Sequence, residues 1–341
     1  MEEVVHSCTL TKADFNSDQE VKWCPGCGGH AVLSAIKSAL VNHAVPIEKV
    51  VFVSGIGCSS RFPYYINTYG FHSLHGRAPA IASGIKLANP ELSVWVATGD
   101  GDSMAIGGNH FIHILRRNID VNIIIFNNKI YGLTKGQASP TTPKGIITKT
   151  SPYGNIENPF NPGELAMGAQ GTFFARAIDT DLKMMTNVFT AAAKHKGTSV
   201  VEVLQNCVIF NDKIHNQITD KDLKDDNQIF LEHGKPMIFG TNRRKGLIRS
   251  GTKFIVVEID QNGITEKDIL IHDSRNPDET QHFMLARMTL PDHPVATGVI
   301  RDFSSTIYED EMYKQIKEQT EKSTHKNVFQ FFRSGNVFSI D

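Results

Sequence analysis

The chain is poor in cysteine and almost without net charge. Five of its 341 residues are cysteine (Cys8, Cys24, Cys27, Cys58 and Cys207), and 35 basic against 36 acidic side chains leave a formal charge of -1. An odd, sparse cysteine set in a chain of this length does not read as a disulfide framework. Near-neutrality gives no electrostatic footprint for nucleic acid or an anionic membrane, so neither is expected as a partner. Long apolar runs are missing too. The longest, around Val50–Val53 and Ile123–Phe126, are strand-sized and far short of a membrane span. No basic segment followed by an apolar stretch opens the sequence, from which a cytoplasmic location is expected. Repeats and low-complexity segments are also lacking. What remains, with 40% apolar and 21% charged residues, is ordinary globular composition, enough for one large domain or two medium ones.

From Gly28 the pattern is regular. Gly28–Val45 carries apolar residues at helical spacing (Val32, Ile36, Leu40), and Lys49–Ser54 is a short β-branched run. Gly76–Ala88 reads as a helix, Leu92–Ala97 as a strand, Gly107–Arg117 as a helix and Val121–Phe126 as a strand. A Gly/Pro/Thr-rich stretch over 132–161 precedes a helix at Pro162–Ala169 with proline in its first turn. A strand (Thr172–Ala177), a helix (Leu182–Lys196) and a strand (Ser199–Leu204) follow. Short buried-type strands alternating with amphipathic helices predict an α/β fold, a mainly parallel sheet with helices on both faces. Ligands of such sheets sit at the carboxyl ends of the strands.

The remainder divides by composition. Residues 1–22 are a polar arm, 23–210 hold the regular pattern, and 211–302 form a C-terminal extension. That extension opens on an Asp- and Lys-rich connector (211–229), and its clearest strand is Lys253–Ile259. The tail, 303–341, has a weak helical pattern and then an aromatic run, Val328–Phe332, expected to pack on this chain or on a partner.

Two polar turns fall at neighbouring strand ends. The strand Leu92–Ala97 runs into Thr98-Gly99-Asp100-Gly101-Asp102, and the next ends at Asn127-Asn128 before Lys129-Ile130-Tyr131-Gly132. A carboxylate at one tip and an amide oxygen at the next can converge on a hard divalent cation, and Mg2+ also takes phosphate oxygens. Glycines beside them let backbone approach a diphosphate, helped by the following helix N-terminus. Gly99-Asp100-Gly101, with the asparagine pair ending 29 positions after Gly99, resembles the thiamine diphosphate motif. That resemblance implies Mg2+ held by Asp100, Asn128 and the carbonyl of Ile130.

Three further strand or helix ends carry thiols. Trp23-Cys24-Pro25-Gly26-Cys27 opens the first helix, Cys58 follows one strand in Gly55-Ile56-Gly57-Cys58-Ser59-Ser60, and Cys207 follows another. Four thiolates at one end of a sheet suit an iron–sulfur cluster or structural zinc. A redox CxxC would leave Cys58 and Cys207 unexplained.

Taken together, WCPGCG, GIGCSS and the GDG/NN pair resemble the β subunit of 2-oxoacid:ferredoxin oxidoreductases. The likeness extends through Tyr131–Thr141 and His233–Gly240 to Leu285–Met288. It implies a thiamine-diphosphate-binding fold, with Cys24, Cys27, Cys58 and Cys207 as ligands of a [4Fe-4S] cluster and Cys8 as a spare thiol. Ile56, Gly57, Cys58, Ser59, His75, Gly99, Gly101, Asp102, Gly132, Leu133 and Thr134 match positions that contact the cofactor. Arg61, Leu133 and Lys135 match substrate-facing positions. Two cations suit a dicarboxylate, so 2-oxoglutarate is the expected substrate, with pyruvate or a broad set of 2-oxoacids as the alternative. Arg61 has a second reading, as a counter-charge to phosphate or cluster. The implied reaction is coenzyme A-dependent oxidative decarboxylation to succinyl-CoA, with electrons leaving for ferredoxin or flavodoxin. The glutamate that activates thiamine is expected on an α subunit, in a heterodimer or α2β2 assembly. The rival of another class is a zinc-stapled, non-catalytic assembly subunit.

Overall fold

Side chains along a strand alternate between faces, so a run that is apolar throughout must be covered on both. Val50–Ser54 (β1) and Val121–Asn127 (β4) are buried at every residue. A computed structural model, which describes residues 10–323, 327–335, 338 and 340, shows what covers them. Cys8 lies outside the described residues.

The remaining strands are Tyr69–His72 (β2), Ser93–Gly99 (β3), Phe173–Ile178 (β5), Ser199–Leu204 (β6), Gln228–Leu231 (β7), Ile238–Phe239 (β8), Lys245–Ser250 (β9), Lys253–Glu258 (β10) and Val295–Asp302 (β11). Eight of them form one sheet in the order β2-β1-β3-β4-β6-β5-β11-β7. The pairs from β2 to β5 are parallel, and β11 turns antiparallel against β5. β8, β9 and β10 make a small antiparallel sheet.

The principal helices are Gly29–His43 (α1), Ala78–Ala88 (α2), Asp100–Met104 (α3), Gly108–Arg117 (α4), Pro162–Gly168 (α5) and Leu182–Lys194 (α6). Two single turns, Asn216–Thr219 (α7) and Lys224–Asn227 (α8), precede Thr280–Arg287 (α9), Tyr308–Lys322 (α10) and Val328–Phe332 (α11). Alternate strand residues sort cleanly. Val50, Phe52, Trp95, Ala97, Ile124 and Phe126 pack under α1 and α6. Val51, Val53, Val94, Val96, Ile123 and Ile125 pack under α2, α4, α5 and α9. The mainly parallel sheet covered on both faces is therefore what the strand pattern predicts.

The expected helix at 162 starts with Pro162 in its first turn, and the Asn161 side chain caps it by accepting from the amides of Gly163 and Glu164. α1 stops earlier than expected, because Ala44 takes a left-handed conformation (φ 55°). Three features differ from the sequence reading. The polar arm is anchored: Phe15 is fully buried, and its carbonyl accepts from the amide of Asn67. The extension over 211–302 adds β7 and β11 to the main sheet besides forming the small one. The aromatic run is helical, and among the described residues nothing covers it: Phe329, Phe331 and Phe332 are 77%, 67% and 75% exposed, which leaves a partner as the expected packing surface.

Candidate active site

Strands β1, β3, β4 and β6 lie side by side and parallel, so the loops leaving their carboxyl ends meet. Those loops enclose a cavity of about 380 Å3. The first loop contributes Ile56, Gly57, Cys58 and Ser59, and the β3 loop contributes Gly99, Asp100, Gly101 and Asp102. After β4 come Asn128, Ile130, Gly132, Leu133 and Thr134, while His75 reaches in from the segment after β2. Every cofactor and Mg2+ position expected from the sequence thus lines one cavity.

Arg61 and Lys135 do not line it. Lys135 is exposed, at φ 76°, on the turn its amide closes by donating to the Gly132 carbonyl (3.0 Å). Arg61 sits in the short helix after Cys58, where its charge bears on the Cys58 thiol. The sequence reading missed Phe126, Tyr131, Gln137 and Gln205 in the wall. Nothing in their local pattern marks them apart from closeness to the motifs.

Asp100 is 2% exposed. Its Oδ2 accepts from the hydroxyls of Ser139 (2.5 Å) and Thr141 (2.6 Å). Burial pushes its carboxyl up to about 6 against the pull of these hydroxyls and nearby amides. Asn128 Oδ1 faces the amide of Ile130 at 3.3 Å. A carboxylate, an amide oxygen and a carbonyl on one wall, all oxygen, are donors that suit a hard cation carrying a diphosphate.

The Asp102 side chain has a further part, beside the diphosphate contact expected of the residue. Its Oδ1 meets Nδ1 of His75 (2.5 Å) and accepts from the amides of Ile56 (3.1 Å) and Gly76 (2.7 Å). Its Oδ2 accepts from the Thr98 hydroxyl at 2.7 Å. Both oxygens are thus engaged by the chain itself, and Asp102 pins three loops together. Gly101 must be glycine because a Cβ there would lie 2.1 Å from the ring of Tyr131. The Tyr131 hydroxyl donates to the Gly101 carbonyl (3.1 Å), and burial pushes the phenol up to about 12.

The thiols adjoin this cavity. Burial pushes the Cys27 thiol up to about 11, with added repulsion from Cys58, Cys207 and Cys24. A Cβ on Gly132 would stand 3.5 Å from Cys207 Sγ and 3.7 Å from Cys58 Sγ. Trp23 Nε1 donates to the Cys58 carbonyl (2.7 Å), and Gln205 Nε2 donates to Cys27 Sγ (3.5 Å). Among the described residues, no three His, Cys, Asp or Glu side chains are placed to hold one metal ion. Four cysteine thiols near one another at this end of the sheet are donors that suit either an iron–sulfur cluster or structural zinc.

A doubly covered parallel sheet with oxygen donors at adjoining strand tips suits a thiamine-dependent enzyme. The family "Thiamine pyrophosphate enzyme, C-terminal TPP binding domain" matches residues 55–203. Subunit KorB of a 2-oxoglutarate oxidoreductase from Mycobacterium tuberculosis is 49% identical over 305 residues, 89% of this chain and 81% of that protein. Subunit beta of 2-oxoacid:ferredoxin oxidoreductase 1 from Aeropyrum pernix is 46% identical over 59% of this chain, which spans 63% of that relative, less than two thirds of its length. A solved chain of 2-oxoglutarate:ferredoxin oxidoreductase from Magnetococcus marinus, with 2-oxoglutarate, coenzyme A and succinyl-CoA bound, superposes at TM-score 0.77. It is 29% identical, with 96% of this chain and 97% of that chain covered. The chain belongs to the β-subunit family of 2-oxoacid:ferredoxin oxidoreductases.

Proposed function

We propose that this chain is the subunit of a 2-oxoglutarate:ferredoxin oxidoreductase that holds thiamine diphosphate, Mg2+ and a [4Fe-4S] cluster. The observation that carries this reading is the double placement of Cys58, which lines the cavity and stands among the four thiols. Bound in the cavity, thiamine diphosphate supplies the electron sink that lets a 2-oxoacid lose CO2. Asp100, Asn128 and the Ile130 carbonyl would hold Mg2+, and Cys24, Cys27, Cys58 and Cys207 would hold the cluster. Asp102 fixes His75 against the cavity, while the buried side chains of Phe126 and Ile130 form an apolar part of its wall.

Coenzyme A as acyl acceptor and ferredoxin or flavodoxin as electron acceptor follow from the likeness to the named relatives. The choice of 2-oxoglutarate over pyruvate or a broader 2-oxoacid range rests on them as well, since neither Arg61 nor Lys135 reaches the cavity. An α subunit is supported by two observations. No glutamate is among the described residues lining the cavity, and large apolar side chains such as Leu74 (73% exposed), Ile147 (72%) and Ile156 (83%) stand uncovered on the loops.

Anaerobically purified complex should show a broad absorbance near 400 nm that bleaches on reduction, and should reduce a dye with 2-oxoglutarate and coenzyme A. The isolated chain should be inactive. A colourless zinc protein, or turnover by this chain alone, would overturn the proposal.

A further inference from the structure

Behind the cavity wall runs a chain of buried polar groups that begins well away from it. Arg176 on β5 and Glu202 on β6 are register partners on parallel strands. They form an ion pair, Nε donating to Oε2 at 2.7 Å. Glu202 Oε1 accepts from Nδ2 of Asn127 at 2.7 Å. A carboxylate there can only accept, so it fixes which end of the Asn127 amide faces it. The Asn127 oxygen is thereby turned the other way, where the Thr141 hydroxyl (3.0 Å) and the Lys129 amide (3.3 Å) meet it. Thr141 completes the chain, its single hydroxyl proton shared between the Asn127 oxygen and the nearer Asp100 Oδ2 (2.6 Å). All five side chains, from Arg176 to Asp100, are 2–4% exposed, so water has no room to replace a missing link.

We propose that the Arg176–Glu202 pair is a positioning device for the cation site, acting through Asn127 on both Asp100 and Asn128. It reaches Asp100 through Thr141. It reaches Asn128 through the turn that the Asn127 oxygen closes with the Lys129 amide. A buried ion pair adds little stability over an apolar pair of the same volume, so its worth here lies in direction. The other guanidinium nitrogens donate to the carbonyls of Ala296 and Ala286, each at 3.2 Å. Arg176 thus ties the extension over 211–302 to the start of this chain. This inference rests on the reading of Asp100 and Asn128 as Mg2+ ligands.

The test uses cofactor-free complex of this chain with its partner subunit, carrying Glu202→Gln, Thr141→Val or Thr141→Ser. Mg2+ is titrated at fixed thiamine diphosphate by calorimetry, and Mn2+ alone by electron paramagnetic resonance. Glu202→Gln and Thr141→Val should raise the half-saturating cation concentration by about tenfold or more, the usual effect of losing an outer partner of a metal ligand. Thr141→Ser should restore it, and KM for the oxoacid should not move. Where Glu202→Gln does not fold, Thr141→Val, which keeps the ion pair and the volume, decides alone. Wild-type complex that binds the cation while Thr141→Val binds it equally well overturns the positioning role and leaves the site reading standing. Wild-type complex that binds neither cation overturns both.

Discussion

Asp102 shows how much of a site can depend on a residue that need not touch a ligand. It is 3% exposed, and it accepts hydrogen bonds from Thr98, Ile56 and Gly76 besides meeting His75. Asp102→Asn removes the charge and sets an amide NH2 against at least one of those donors. Such a mismatch in a buried place costs about 1–3 kcal/mol. The urea midpoint of the variant should fall accordingly, and thiamine diphosphate should bind more weakly because His75 and the loop at 56 lose their common anchor. An unchanged midpoint with unchanged cofactor binding would refute this role. The sequence makes Asp102 visible as part of a GDG motif, but its work is not legible there. That work depends on which loops meet: the amide of Ile56, 46 residues away, and the His75–Gly76 segment, 27 and 26 residues away, reach it only after folding. Arg61 and Lys135 illustrate the reverse. Their charge is plain in the sequence, but its direction is set by backbone turns that spacing does not specify.

Among elements, the parallel strands and their helices were legible because burial on both faces forces near-continuous apolar runs. β2 was not. All four of its residues are exposed, so hydrophobic period had nothing to detect, and it pairs only along β1 at the sheet edge. β7 and β11 were hidden for another reason. They lie after an acidic, lysine-rich connector, and β11 runs antiparallel to β5, so the alternation of strand and helix that signals a parallel sheet has already ended. The arm reads as polar because one buried residue among many exposed ones gives no pattern. Phe15 packs in the same cluster as Trp23, Phe52 and Phe62. Phe15→Ala should therefore free the arm, at a cost of about 3–5 kcal/mol if the core stays shut around the hole. Limited proteolysis would show new cleavage within 10–22, and an unchanged digestion pattern would count against the anchor.

At the scale of the molecule, the extension is fastened to the main sheet partly through neutral histidines. His272 donates from Nε2 to the Val299 carbonyl on β11 (2.8 Å), and its Nδ1 is buried without a partner. Burial pushes its imidazole down to about 4, with His282 and His233 adding repulsion that Asp273 partly offsets. Arg301 donates to Nδ1 of His282 at 2.9 Å, which also favours a neutral ring. An unfolded His272 binds its proton near the ordinary 6.5, so between 6.5 and about 4 the unfolded state carries more protons than the folded one. Stability supplied by the neutral ring is present above that window and is lost as pH falls through it, by up to about 3 kcal/mol for this group. The urea midpoint should drop between pH 7 and pH 5, and the drop should shrink in His272→Gln, which keeps a donor for Val299 but does not titrate. An equal drop in both would remove His272 from the account.

Cys58 belongs to the cavity and to the thiols at once, and the Trp23 indole holds its carbonyl. Over evolutionary time this couples two properties that would otherwise change separately. A descendant that abandoned the thiol group would have to rebuild the wall of the cavity in the same step. One that reshaped the cavity through this loop would disturb the thiols. Divergence in what such an enzyme accepts is therefore expected to enter through residues other than this cysteine.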